Sequence, residues 1–101
     1  MSRDWPFEDP PNVASYTTVN VLDHGEPILL VTHDADDGAW QFLCGKAHDP
    51  ADGRVIGLDC ALGLDPSLAE VADLPVGWRA WREVRGGPWR REASPPDEKD
   101  G

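Results

Sequence analysis

The residues from Val31 to Gly45 set an acidic turn between two strand-like runs, and this pattern constrains the fold more than any other stretch of the chain. Asp side chains bond nearby backbone amides and glycine accepts positive φ, so Asp34-Ala35-Asp36-Asp37-Gly38 suits a tight connection. Ahead of the turn, Pro27-Ile28-Leu29-Leu30-Val31-Thr32-His33 has little polar alternation, which predicts a central strand buried on both faces. Behind it, Ala39 to Cys44 alternates. The two-residue strand period puts Trp40, Phe42 and Cys44 on one face and Gln41 and Leu43 on the other.

Other segments extend this β framework. The β-branched and aromatic residues between Val13 and Leu22, followed by Asp23-His24-Gly25-Glu26, predict a strand and a turn. Arg54 to Leu58 predicts a short strand, with Asp59 capping a brief helical turn after it. Asp65-Pro66 is a stronger helix start, because Asp accepts a bond from a free amide and Pro is pre-set for the first helical position. Leu68, Val71 and Ala72 then share a face, and Leu74-Pro75 ends the helix. Val76 to Val84 alternates as a strand, and Arg85-Gly86-Gly87-Pro88 turns it into Trp89 to Glu92, a terminal hairpin. This order predicts an α+β fold, a small, mostly antiparallel β-sheet with one or two short helices packed on one face.

A chain of 101 residues supports one modest core. The expected organisation is an extended N-terminal segment at 1–12, a single α+β domain at 13–92 and a disordered acidic tail at 93–101. Pro6, Pro10 and Pro11 favour the extended form, and Trp5 and Phe7 offer apolar surface by which that segment can lie on the domain.

Charge narrows the partners. Asp and Glu number 19 against 9 Lys and Arg, for a net charge of -10. That balance opposes phosphate backbones and anionic membranes, so neither nucleic acid nor membrane is an expected partner. No window approaches the ~20 apolar residues of a membrane span, and Met1 to Pro11 lacks a cationic stretch leading into an apolar run, which predicts a cytoplasmic protein. The acidic surface suits a basic protein partner or serves solubility alone. Cys44 and Cys60 are too few for a disulfide framework, and the expectation is a reduced, buried pair.

Dedicated chemistry is hard to assemble from these residues. An EF-hand loop starting at Asp34 would need glycine sixth and glutamate twelfth, where the chain has Ala39 and Gly45. His33, Cys44, His48 and Cys60 have ligand chemistry for zinc but no standard ligand spacing. Cys44 beside His33 or His48 is the one candidate nucleophile pair, yet it ends an apolar strand, where burial raises a thiol pKa and quenches reactivity. Phosphate-binding glycine loops and Gly-x-Ser-x-Gly elbows are absent. No catalytic residue, metal or cofactor is expected, and an enzyme or metalloprotein built on His33, Cys44, His48 or Cys60 stands as the alternative.

A partner site is the sharper reading. Trp78, Trp81 and Trp89 interleave with Arg79, Arg82, Arg85, Arg90 and Arg91, and Trp and Arg dominate binding hot spots. The candidate partner-binding residues are therefore Asp34, Asp36 and Asp37 in the acidic turn and Trp78, Trp81 and Arg82 in the hairpin. Trp78 and Trp81 have opposite strand parity, so both cannot fill one core face. Arg stems lying on Trp rings across the hairpin would explain the same residues without a partner. Self-pairing through Trp78 or Trp81 would make the chain a weak homodimer instead of a monomer.

Three clusters also carry a family resemblance: Asp37-Gly38-Ala39-Trp40-Gln41-Phe42 with Gly45, Gly57-Leu58-Asp59 with Asp65-Pro66, and Leu74-Pro75-Val76-Gly77 with Arg82. Together they resemble a small bacterial family described as a domain of unknown function and, in some members, as immunity proteins of polymorphic toxin systems. The resemblance spans about Pro27 to Arg82 and departs from the family pattern at Trp78-Arg79-Ala80-Trp81. It implies an α+β fold and, for some members, tight protein binding without catalysis. It supplies no catalytic residues.

Overall fold

The computed structural model describes residues 5–45 and 50–94. Among these described residues six strands are formed: β1 Ala14–Thr18, β2 Leu30–His33, β3 Trp40–Leu43, β4 Gly53–Gly57, β5 Trp78–Trp81 and β6 Arg90–Ala93. Helices α1 Val19–Leu22 and α2 Leu58–Leu64 join them, with 3₁₀ segments at Pro50–Asp52 and Pro66–Val71. The strands make one sheet in the order β4-β1-β3-β2-β5-β6. Every pairing is antiparallel except β1 with β3. This is the small, mostly antiparallel α+β fold that the element order predicts.

Strand periodicity decides which side chains form the core. Register places Val31 opposite Phe42 and Ala80, and all three are fully buried. The helical segments contribute Val21, Leu58, Ala61, Leu68 and Val71 to the same cluster, so they cover one face of the sheet. Burial of such side chains is worth about 1.5–3 kcal/mol each, which makes this inner layer the main stabilising element. Two inner hydroxyls of β1 are matched within the sheet, Ser15 Oγ donating to the Ile56 carbonyl at 2.9 Å and Thr17 Oγ1 to the Phe42 carbonyl at 2.7 Å.

Several boundaries differ from the sequence expectation, each for a tertiary reason. The expected strand through Leu22 ends at Thr18, and α1 turns the chain so that Val21 enters the core. Burial outweighs the β-propensity of Val19 and Val21 here. Strand β2 is central, between β3 and β5, but only Val31 is buried within it; Leu30 and Thr32 on the outer face are half-buried. Asp59 lies inside the first turn of α2, where its Oδ1 accepts from the Cys60 amide, and Gly57 occupies the cap position. Asp65 does cap as its sequence context suggests, accepting from the Ser67 amide at 3.0 Å, although the segment it starts is 3₁₀.

The two ends of the chain frame the domain. Phe7 is buried and meets Trp40 edge-on with ring centroids 5.1 Å apart, and Trp5 packs on Phe7 at 5.5 Å. The N-terminal segment therefore docks from Trp5 onward. At the other end Ala93 belongs to β6, and the Ser94 amide donates to the Gly77 carbonyl at 2.8 Å, so ordered pairing runs past the expected start of the tail. The remainder of that expected tail, 95–101, lies outside the described residues.

Candidate functional site

The β2–β3 turn is built from its own carboxylates. Asp34 Oδ1 accepts from the Asp36 amide at 3.1 Å and Asp37 Oδ1 from the Ala39 amide at 3.0 Å, while the Asp34 amide and carbonyl bond to Ala39 and Gly38. Gly38 has φ +74°, the left-handed conformation that closes the turn without a Cβ conflict. Asp36 and Asp37 are exposed and Asp34 is half-buried. The turn thus displays negative charge on a backbone of defined shape.

Beside this turn lies a groove of about 790 Å³. Pro6, Glu8 and Asp9 form one wall, Asp37 to Ala39 a second, and Asp73 to Val76 a third, with His33 and Trp40 between them. His33 and Trp40 are cross-strand partners and their rings stack 3.9 Å apart at 15°. His33 Nδ1 is 2.7 Å from the Leu74 carbonyl, which can only accept, so Nδ1 carries the proton and the lone pair of the neutral ring sits on Nε2. Trp40 Nε1 donates to Asp9 Oδ2 at 3.3 Å, and Trp5 Nε1 donates to the Asp9 carbonyl at 2.7 Å. Among the described residues four carboxylates line the groove, from Glu8, Asp9, Asp37 and Asp73, and no Lys or Arg does.

Asp73 is the one of these four with a paired cation. Its hydrogen bond from Arg91, at 2.8 Å, holds its carboxyl below the ordinary carboxylate value despite a small opposing effect of burial. Arg91 also donates to the Glu70 carbonyl at 2.6 Å, which ties β6 to the 3₁₀ segment.

The second sequence-derived candidate, the Trp and Arg hairpin, divides between the two faces. Trp78 faces inward and packs on the core, opposite His33. Trp81 faces outward beside Leu30, half-buried, with Arg79 Cζ 5.9 Å from its ring centroid. Arg79 pairs with Glu92 directly across the hairpin. The acidic turn and Trp81 therefore do not converge on one site.

Arg82 is a correction to the partner-site expectation, because its side chain is fully buried. Nε and Nη2 donate to the Ile28 carbonyl at 3.2 and 3.0 Å, Nη1 to Ser67 Oγ at 2.9 Å and Nη2 to Asp65 Oδ2 at 2.5 Å. Its Cζ lies 4.1 Å from the Trp89 ring centroid, so the guanidinium itself sits over a Trp ring of the hairpin. For Asp65, burial is the largest single influence and pushes its pKa up. The side-chain and backbone hydrogen bonds from Ser67 and the bond and charge of Arg82 together outweigh it and hold the carboxyl below its ordinary value.

Of the metal and nucleophile candidates, His33, Cys44 and Cys60 lie among the described residues. Cys44 is buried on the inner face, whereas Cys60 is exposed on α2, so the expectation of a buried pair fails for Cys60. His33 is held by Leu74, and His48 lies outside the described residues. Among the described residues no three His, Cys, Asp or Glu side chains are grouped to hold a metal ion. No helix among them is long and apolar enough to cross a membrane.

Sequence reasoning missed Glu8, Asp9 and Asp73 as members of the site. A signal existed for the first two, since Trp5 and Phe7 offered an anchor for the segment that carries them. Comparison with protein-family models, with curated proteins and with solved structures found no match to this chain.

Proposed function

We propose that this chain is a non-catalytic protein-binding module that acts stoichiometrically on a basic protein partner, as the immunity proteins that its sequence clusters resemble would. The observation that carries this reading is the grouping of carboxylates on a hydrogen-bonded turn beside a groove lined, among the described residues, by four acids and no Lys or Arg. A net charge of -10 adds a long-range field that accelerates encounter with a cationic surface. The Asp34 and Asp37 carboxylates are already held by backbone amides, which reduces the ordering needed when a partner docks.

Affinity capture from the source cells at low and moderate salt tests the reading. The expected result is one basic protein retained at a one-to-one ratio and released by salt, because charges beyond about 10 Å are screened at 0.1 M. Replacing Asp34, Asp36 and Asp37 together by Asn should slow association while leaving unfolding cooperative. Unchanged association kinetics would remove this turn from the interface, and a salt-insensitive complex would overturn electrostatic recognition.

A further inference from the structure

Resting on that reading, we infer that the groove seats an arginine-bearing extended segment of the basic partner, with a guanidinium among Glu8, Asp9, Asp37 and His33. The groove volume of about 790 Å³ exceeds what one side chain fills and matches a short stretch of extended chain. The charged side chains among its described lining residues are all carboxylates. Asp73 is already paired with Arg91, which leaves the carboxylates of Glu8, Asp9 and Asp37. The fixed tautomer of His33 adds a lone pair on Nε2 in the neutral ring.

A lining whose charged side chains are all carboxylates is complementary to a cationic group that only donates. Guanidinium has five donors in a rigid plane and reaches acceptors on several walls at once, whereas an ammonium is a compact, more strongly hydrated point charge. Val13, Ala72 and Val76 supply apolar surface against which an arginine stem can lie. The carboxylates of Asp9 and Asp37 are also held in place before binding. Trp40 and Trp5 fix Asp9, the Ala39 amide fixes Asp37, and Phe7 anchors the wall that bears Glu8 and Asp9. Such pre-organisation reduces the ordering needed on binding.

The test uses the full chain and three blocked hexapeptides that alternate glycine with arginine, lysine or citrulline, followed by NMR and calorimetry. The arginine peptide is expected to shift the His33 ring and the Trp40 indole resonances and to bind about tenfold more tightly than the uncharged citrulline peptide, with lysine between them. In the variant Glu8→Gln, Asp9→Asn, Asp37→Asn that difference should vanish, while Glu83→Gln, an exposed acid outside the groove, should retain it. Asn at position 9 keeps an acceptor for Trp40, so folding is preserved and checked by the Phe7 ring signals.

Equal binding of arginine and lysine peptides, shifts spread over the whole acidic surface, or no shift at millimolar peptide would each overturn the inference. Capture of a salt-released basic protein by a chain that ignores these peptides would overturn the groove and leave the binding-module reading standing. Arginine-specific shifts confined to the groove, with no captured protein, would support the groove and overturn the protein partner.

Discussion

Replacing Arg82 by alanine should lower the unfolding free energy by about 3–5 kcal/mol, the cost of removing one member of a buried ion pair. The structure supports the upper part of that range. The Arg82 side chain is 0% exposed and Asp65 8%, so the pair is shielded from bulk solvent. The Ile28 carbonyl would lose both guanidinium donors, Ser67 Oγ would lose one and the Trp89 face its cation. For a domain of this size the melting temperature should fall on the order of 20 °C.

Urea unfolding followed by tryptophan fluorescence, from neutral pH to acid, is the assay. Asp65 has a folded-state pKa below its ordinary value, so its contribution is complete above the unfolded carboxylate value of about 3.9 and is lost as pH falls through the lowered folded one. Wild-type chain should therefore lose part of its stability below about pH 4, and Arg82→Ala should lose less over that window, having forfeited the Arg82 contribution already. A loss at neutral pH under about 1 kcal/mol, the size typical of an exposed pair, would refute the view that Arg82 organises the interior.

Three further outcomes are expected. Phe7→Ala should cost about 3 kcal/mol and alter Trp40 fluorescence, because Phe7 is buried edge-on against that ring; an unchanged denaturation midpoint would mean that the N-terminal segment does not dock. Gly38→Ala should cost about 1–2 kcal/mol through backbone strain alone, since φ is +74° and no atom lies within 4 Å of the added Cβ; a stabilised variant in urea titration would contradict the turn geometry. Titration with a thiol reagent should modify Cys60 in the native protein and Cys44 only after unfolding, and equal rates would contradict the burial of Cys44.

Much of the fold was legible where local rules and burial agree. Asp34 to Gly38 forms the expected turn because Asx side chains and a glycine satisfy it locally. The alternation of Trp40, Phe42 and Cys44 survives intact because those residues face the helical layer. Asp65-Pro66 likewise starts its helical segment through a contact two residues away. Legibility failed at Val19 to Leu22, where β-branched residues enter a helix to bury Val21, and at Arg82, a partner-site candidate whose side chain is the centre of a buried network. Its partners, Ile28, Asp65 and Ser67, lie 54, 17 and 15 positions away, distances over which no local pattern operates.

The sequence by itself determined the strand periodicity, the turn chemistry, the acidic charge and the α+β class, since each depends on residues close together or on composition. Only the tertiary structure decided that β1 runs parallel to β3, that Trp78 and Trp81 part to opposite faces of the sheet, and that Glu8, Asp9, Asp37 and Asp73 border one groove. The physical reason is that strand order and wall contacts follow from how the whole chain buries its apolar faces together, and that long-range optimum is not written in any one segment.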